Sequence, residues 1–344
     1  MKAAVINRFG GSDVFETVDV PKPEAGPDHA VVKVLACGIN RYDTYLRMGA
    51  ITKEMTLPHV MGADIAGEVH EVGAGVTGWL PGRRVLVAPG FPVDPDEWGF
   101  EPENFAPSYT VTGTKLWGGY AQYVRVPARF MLPDDSGLPP AEMACVPLVL
   151  VTAVHAVRTL GQSRAGTTVL VQAGASGSGS MCIQVAGALG ARVAATVGAD
   201  EKIETASSAG AELVLNYSRD SFADRVLEWT GGRGVDVVID NVGGSVFADN
   251  LRCLRRGGTL VNFGAVGGMR AEINFLDLLF RQLNLRGSMM GSMDELRFGL
   301  TLLYEGKVKP VLDRAFPLAS VKDAHDYMEQ RLVRGKIVLS PWSD

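Results

Sequence analysis

The chain has 344 residues, 47% of them hydrophobic and 21% charged, a length that suits two domains, each with its own core. Its 33 basic side chains against 38 acidic ones give a net charge of −5 with no basic tract, which argues against nucleic-acid binding. No apolar run reaches the roughly 18 residues of a membrane span, the N-terminus MKAAVINRFGG lacks a signal pattern, and four scattered cysteines without a CxxC pair fit a reduced, cytoplasmic protein.

In chain order, the first third reads as β. HAVVKVLACG, ADIAGEVHEVGAGV and GRRVLVAP are strand runs punctuated by Gly and Pro, as in a small barrel or sandwich. The opening of the next segment, ACGINRYDTYLRMGA (36–50), reads as a strand end, a turn and a helix dense in polar groups. From 89 to 117, prolines at 92, 95, 102 and 107 break the pattern, and a long surface lobe is expected. After about residue 145 strands alternate with helices. The predicted strands are 167–174, 191–198, 211–217, 235–242, 258–264 and 284–290, with helical patterns between the first four. Nearly continuous β-branched runs mean strands buried on both faces, hence a doubly wound, six-stranded parallel sheet. The tail, 311–341, reads loop–helix–strand and is expected to rejoin the first domain.

The first of these strands runs into AGASGSGSMCIQVAGALGA. Gly174, Gly177 and Gly179, with Ser176 and Ser178 between them, form a Gly-rich turn at a helix N-terminus, which suits a dinucleotide pyrophosphate. Ser176 stands where GxGxxG has its middle glycine. The second strand ends in Val197 and Gly198, where an NAD enzyme usually carries the acid that binds the ribose hydroxyls. Asp200 and Glu201 follow and read as helix-capping residues, with Asp200 at the N-cap. NADPH is therefore the expected cofactor. Lys202 and Tyr217 are candidates for its 2′-phosphate, against a solvated lysine and a strand-end tyrosine.

A barrel-like domain, a dinucleotide fold and a return segment resemble the medium-chain dehydrogenase/reductase superfamily over essentially the whole chain. LPHVMGADIAGEVHEVGAGVTGWLPGRRV is similar to its GHE-type segment, and GARVAATVGADEKIETASSAGAELVLNY to its quinone oxidoreductase branch. The resemblance implies an α/β protein with a GroES-like β-barrel catalytic domain (1–145 and 291–344) and a Rossmann domain (146–290). Where zinc-dependent relatives carry ligands, this chain has Asn40, Ala63 and Leu148, so no metal is expected. By matching positions, Asn40 and Tyr45 line the cleft beside the nicotinamide. Asn40 would stabilise a developing oxyanion and Tyr45 would hydrogen-bond the substrate or relay a proton. The alternatives are a turn-former for Asn40 and a core-facing residue for Tyr45. The resemblance makes Asp43 structural. It places Thr152, Asn241, Phe263, Gly264, Ala265, Gly335 and Lys336 around the cofactor.

Without a metal, an isolated ketone is a hard substrate and a conjugated acceptor an easier one, because hydride addition spreads charge into an enolate or hydroquinone-like oxygen. The expected activity is NADPH-dependent reduction of a quinone or another α,β-unsaturated carbonyl. An enoyl-thioester reductase, a zinc-free alcohol dehydrogenase and a non-catalytic NADPH-binding protein are the alternatives. The sixth strand would lie at the sheet edge, where relatives pair with a second subunit, so a homodimer is expected.

Overall fold

The computed structural model describes residues 1–343 and divides into two compact units, 1–148 with 310–343, and 149–309. The first unit opens with β1 (Lys2–Ile6), β2 (Phe15–Asp19) and the long β3 (His29–Ile39), which runs into helix α1 (Arg41–Arg47). It continues through β4 (His59–Val60), β5 (Asp64–Val72), β6 (Arg84–Val87), β7 (Gly90–Pro92), β8 (Tyr109–Val111), β9 (Tyr123–Pro127), β10 (Met131–Pro133) and the short α2 (Pro140–Met143). β7 and β8 pair with each other inside the expected surface lobe. That lobe is better anchored than its proline content suggests. Phe91 is buried and stacks on Phe130 at 4.9 Å, and Thr110 to Thr112 are buried as well.

Helix α3 (Pro147–Ala153) continues through a π-helical stretch, Val154–Leu160. Pro140–Leu160 is the one helical stretch among the described residues long and apolar enough to cross a membrane, and most of it is buried in the protein. The second unit then alternates β11 (Thr168–Val171), α4 (Gly177–Ala188), β12 (Arg192–Val197), α5 (Ile203–Ser208), β13 (Leu213–Asn216), α6 (Phe222–Trp229), β14 (Val235–Asp240), α7 (Phe247–Cys253), β15 (Leu254–Asn262), α8 (Phe275–Arg281), β16 (Asn284–Gly287) and α9 (Met293–Tyr304). Its six strands are all parallel, in the order β13-β12-β11-β14-β15-β16. Such a sheet needs apolar side chains on both faces, and all four residues of β11 are buried. The six predicted strands correspond to these six.

Residues 291–309 group with this second unit rather than with the catalytic domain that the sequence suggested. Glu295 explains the difference. It closes a capping box with Ser292 at the start of α9 and accepts hydrogen bonds from His155 (2.9 Å) and Thr159 in the π-helical stretch. Farther on, Gln184 on α4 exchanges two hydrogen bonds with the backbone of Lys309.

The return segment holds β17 (Leu312–Pro317), α10 (Val321–Glu329) and β18 (Lys336–Ser340). It is strand–helix–strand, not loop–helix–strand. β18 pairs antiparallel with β3 and parallel with β17, completing a seven-stranded sheet in the order β10-β6-β5-β3-β18-β17, with β9 also on β3.

Candidate active site

In the Rossmann unit, the strand ends and the loops after them assemble one polar rim. β11 delivers the chain to Ala173, whose φ is +48°, and on to Gly174. Ser176 is the N-cap of α4. Its Oγ accepts hydrogen bonds from the Gly179 amide (3.0 Å) and from Asn241 Nδ2 (3.2 Å). This satisfies one of the helix's orphan N–H groups and ties the glycine turn to the loop after β14. A Cβ on Gly179 would collide with the Ala173 carbonyl, so only glycine lets the helix start this close to the strand. Gly177 and Ser178 are half-buried in the first turn. Gly264 lies against the Asn241 backbone, with Phe263 and Ala265 half-buried on either side.

Four side-chain oxygens in this unit are buried without a hydrogen-bond partner among the described residues, Thr152 Oγ1, Ser163 Oγ, Asn241 Oδ1 and Ser288 Oγ, and two of them, on Thr152 and Asn241, belong to residues the resemblance placed around the cofactor. An unmet buried oxygen costs about 1–3 kcal/mol, and a ligand offering N–H groups would relieve it. The turn, the cap and these two acceptors suit a dinucleotide. At the end of β12 a Cβ on Gly198 would come within 2.6 Å of the Tyr217 hydroxyl, so Tyr217 covers the place of the missing acid. Asp200 is not the N-cap, which is Ala199. Its carboxylate accepts from Asn216 Nδ2 (2.8 Å) and pairs with Arg219 (2.9 Å). Lys202 closes the same 3-10 turn, Asp200–Lys202.

In the first unit, Asn40 is the N-cap of α1, and Asp43 reaches back to accept its backbone N–H at 2.8 Å. The Asn40 side chain is turned into a buried cluster. Its Nδ2 donates to Asp64 Oδ2 (2.9 Å), and its Oδ1 accepts from Lys336 Nζ (2.6 Å). Lys336 also donates to Asp64 Oδ2 (2.7 Å) and to the Ile39 carbonyl (3.0 Å). Asp64 Oδ1 takes the Leu148 amide at 2.6 Å. The three partners commit all three ammonium donors, which leaves Lys336 no spare donor for the cofactor beside which the C-terminal GK pattern would place it. Lys336 and Asp64 instead fix which way the Asn40 amide faces and leave it one N–H. Tyr45 sits half-buried on α1, its hydroxyl held by no hydrogen bond among the described residues. Gly335, with φ of +87°, makes the tight approach to Val311 that sets the start of β18.

Two family models match: an alcohol dehydrogenase GroES-like domain over residues 26–139 and a zinc-binding dehydrogenase over residues 177–304. A 2-haloacrylate reductase from Burkholderia is 32% identical over 98% of each chain. The chain belongs to the medium-chain dehydrogenase/reductase superfamily. A crystal structure of an NAD-dependent alcohol dehydrogenase superposes with a TM-score of 0.95, at 36% identity over 99% of both chains. The Escherichia coli quinone oxidoreductase complexed with NADPH gives a TM-score of 0.86, at 26% identity over 99% of this chain and all of that one.

The second family description names zinc, and this chain's potential donors can be set against it. The matched region holds no histidine. Among the described residues no group of three or more His, Cys, Asp or Glu is placed to hold a metal. At the positions where the resemblance puts the ligands of zinc-dependent relatives the chain has an amide, Asn40, and two aliphatic side chains, Ala63 and Leu148, a set that does not suit zinc. Cys37 is buried, and burial raises its thiol pKa well above the usual range. His59 is spent on the Gly113 carbonyl at 3.0 Å.

Behind the cluster lies a network that sequence reasoning missed. Arg47, fully buried, donates to the Gly10 carbonyl, to His325 Nδ1 (3.2 Å) and to Glu329. Burial, then the charges of Arg47 and Arg41, hold His325 well below its usual pKa, so it is neutral. Since Nδ1 accepts from Arg47, Nε2 carries the proton and faces the Tyr120 hydroxyl at 3.4 Å. Tyr120 in turn donates to Asp43 Oδ2 at 3.0 Å. Asn40 is thus fixed from two sides: its side chain by Asp64 and Lys336, its backbone by Asp43. Only Asp43 and the GK pattern gave any sequence signal, because the other partners lie outside any local motif: Asp64 is 24 residues from Asn40, Tyr120 77 from Asp43 and His325 278 from Arg47.

Proposed function

We propose that this protein is an NADPH-dependent reductase that adds hydride to quinones or other α,β-unsaturated carbonyls without zinc. The observation that carries the proposal is the Asn40–Asp64–Lys336 cluster. Lys336 polarises the Asn40 amide through its oxygen, Asp64 takes one N–H, and the remaining N–H is a fixed donor for a carbonyl oxygen gaining negative charge. Hydrogen bonds of this kind suffice for charge delocalised in an enolate and are weak for a localised alkoxide. Tyr45, with an uncommitted hydroxyl, supplies the balancing proton. The nicotinamide, when bound, supplies the hydride. Gly174, Ser176, Gly177, Ser178 and Gly179 would hold its pyrophosphate, Lys202 and Tyr217 beside Gly198 the 2′-phosphate, and Thr152, Asn241, Phe263, Gly264 and Ala265 the nicotinamide half.

Relatives named 2-haloacrylate reductase and quinone oxidoreductase support the acceptor class. The NADPH-bound E. coli structure supports the cofactor. One similar structure is described as NAD-dependent; the absence of a free carboxylate after β12 favours NADPH here. The protein acts as a cytoplasmic homodimer in this proposal. All four cysteines are free and buried, β16 is an open sheet edge, and α8 exposes Phe275, Leu276, Leu279 and Phe280 for a second copy to cover.

The test is NADPH oxidation by EDTA-treated protein with quinones, enones, enals and a short enoyl-CoA, with NADH in parallel. Turnover of quinones or enones that survives chelation, and falls about 10²–10³-fold in Asn40→Ala with KM little changed, is the expected result. Activity lost on chelation and restored by zinc would overturn the zinc-free mechanism.

A further inference from the structure

Far from the glycine turn, the Rossmann unit carries a solvent-open surface cavity of about 460 Å³ lined by Arg233, Arg252, Arg255, Arg256 and Arg281 together with Leu227 and Leu254. It lies at the amino ends of β14 and β15. The cofactor loops follow the carboxyl ends of the same strands, about 20 Å away at strand rise. Five guanidiniums in one cavity are unexpected on a chain with a net charge of −5.

Their charges are only partly met. Asp236 pairs with Arg233 (3.2 Å) and Arg255 (2.5 Å), while Arg252 pairs with Asp224 (2.6 Å) and Asp249 (3.1 Å). Among the described residues no carboxylate pairs with Arg256 or Arg281. Arg256 donates to the Phe280 carbonyl (3.0 Å) and Arg281 to the Leu254 carbonyl. Those bonds orient the two guanidinium planes without neutralising them, so three carboxylates face five cations. Asp236 is itself saturated by Thr168 through both the backbone N–H and the hydroxyl, which keeps Arg233 and Arg255 in position. Planar guanidiniums held this way suit bidentate recognition of phosphate. The volume would admit a small ligand, and the two leucines add apolar lining.

We infer that this arginine-lined cavity is a second anion site, which binds a small diphosphate-bearing molecule apart from the nicotinamide cofactor. An inorganic diphosphate and a nucleoside diphosphate share the chemistry, and only the second would use the leucine lining.

The experiment is calorimetric titration of the assembled protein, as purified, with pyrophosphate and separately with ADP. Wild type, Gly179→Ala and the double variant R256Q/R281Q are compared. Saturable binding that weakens at least tenfold in R256Q/R281Q, persists in Gly179→Ala and weakens with added NaCl is expected. ADP binding tighter than pyrophosphate assigns the organic ligand; equal affinities assign the inorganic one. No saturable binding, binding unchanged in R256Q/R281Q, or binding lost only in Gly179→Ala overturns the inference. Should the double variant fail to fold, Arg256→Gln alone, an exposed position, is expected to weaken binding about threefold or more, and unchanged affinity there overturns it too.

Discussion

Asn40 was legible as a polar residue after a strand, but its chemistry depends on Lys336 and Asp64, which chain folding brings to it. Removing the ammonium alone should be costly, because Asp64 would stay buried and charged. Lys336→Met is expected to lose about 3–5 kcal/mol of stability in urea denaturation at neutral pH. Asp43 gives a second prediction. Burial is the main cause that lifts its pKa from 3.8 to about 6, against the hydrogen bonds from Asn40 and Tyr120. Between these values the folded chain holds a proton that the unfolded chain has released. Asp43 therefore favours folding most below the unfolded pKa, and that contribution is lost as pH rises through about 6, by at most roughly 3 kcal/mol. Denaturation midpoints of wild type between about pH 4 and 7 should show this decline, and Asp43→Asn should flatten it.

At the level of elements, the parallel strands were readable because each is a short apolar run buried on both faces. β17 was not. Its sequence, LDRAFP, mixes charge with apolar residues, and as an edge strand it is only half-buried, so neither alternation nor a continuous run marks it. The lobe misled in the opposite direction. Its prolines signal loop, while Phe91 stacks on Phe130 outside it, the Thr112 hydroxyl donates to the Ala88 carbonyl, and Thr110 and Val111 are buried. The end of β12 is where an element sets specificity. A carboxylate at Gly198 would displace the Tyr217 hydroxyl and repel a 2′-phosphate. Gly198→Asp is expected to shift the ratio of kcat/KM for NADPH over NADH at least tenfold toward NADH, measured with one acceptor.

On the scale of the whole molecule, the exposed face of α8 beside the open edge of β16 is where the proposed homodimer would seat its second copy. Leu276→Glu with Phe280→Glu should convert a dimer into a monomer, read by light scattering in solution. A wild-type monomer, or a double variant still dimeric, would remove α8 from the interface. The domain division also belongs to this scale. The chain's return to the first unit was readable from its helix-and-strand tail, but its starting point was not. Residues 291–309 look like any amphipathic helix until Glu295 finds His155, 140 positions earlier.

Local patterns in the sequence determined the fold class, the glycine turn and the absence of an acid after the second Rossmann strand, because each depends on neighbours within a few residues. Tertiary structure alone decided what Lys336 does. A lysine near the C-terminus has no chemistry of its own until β18 lies beside β3. Once it does, desolvation forces the ammonium to find Asp64 and Asn40, and the amide left with one free N–H becomes the centre of the proposed site.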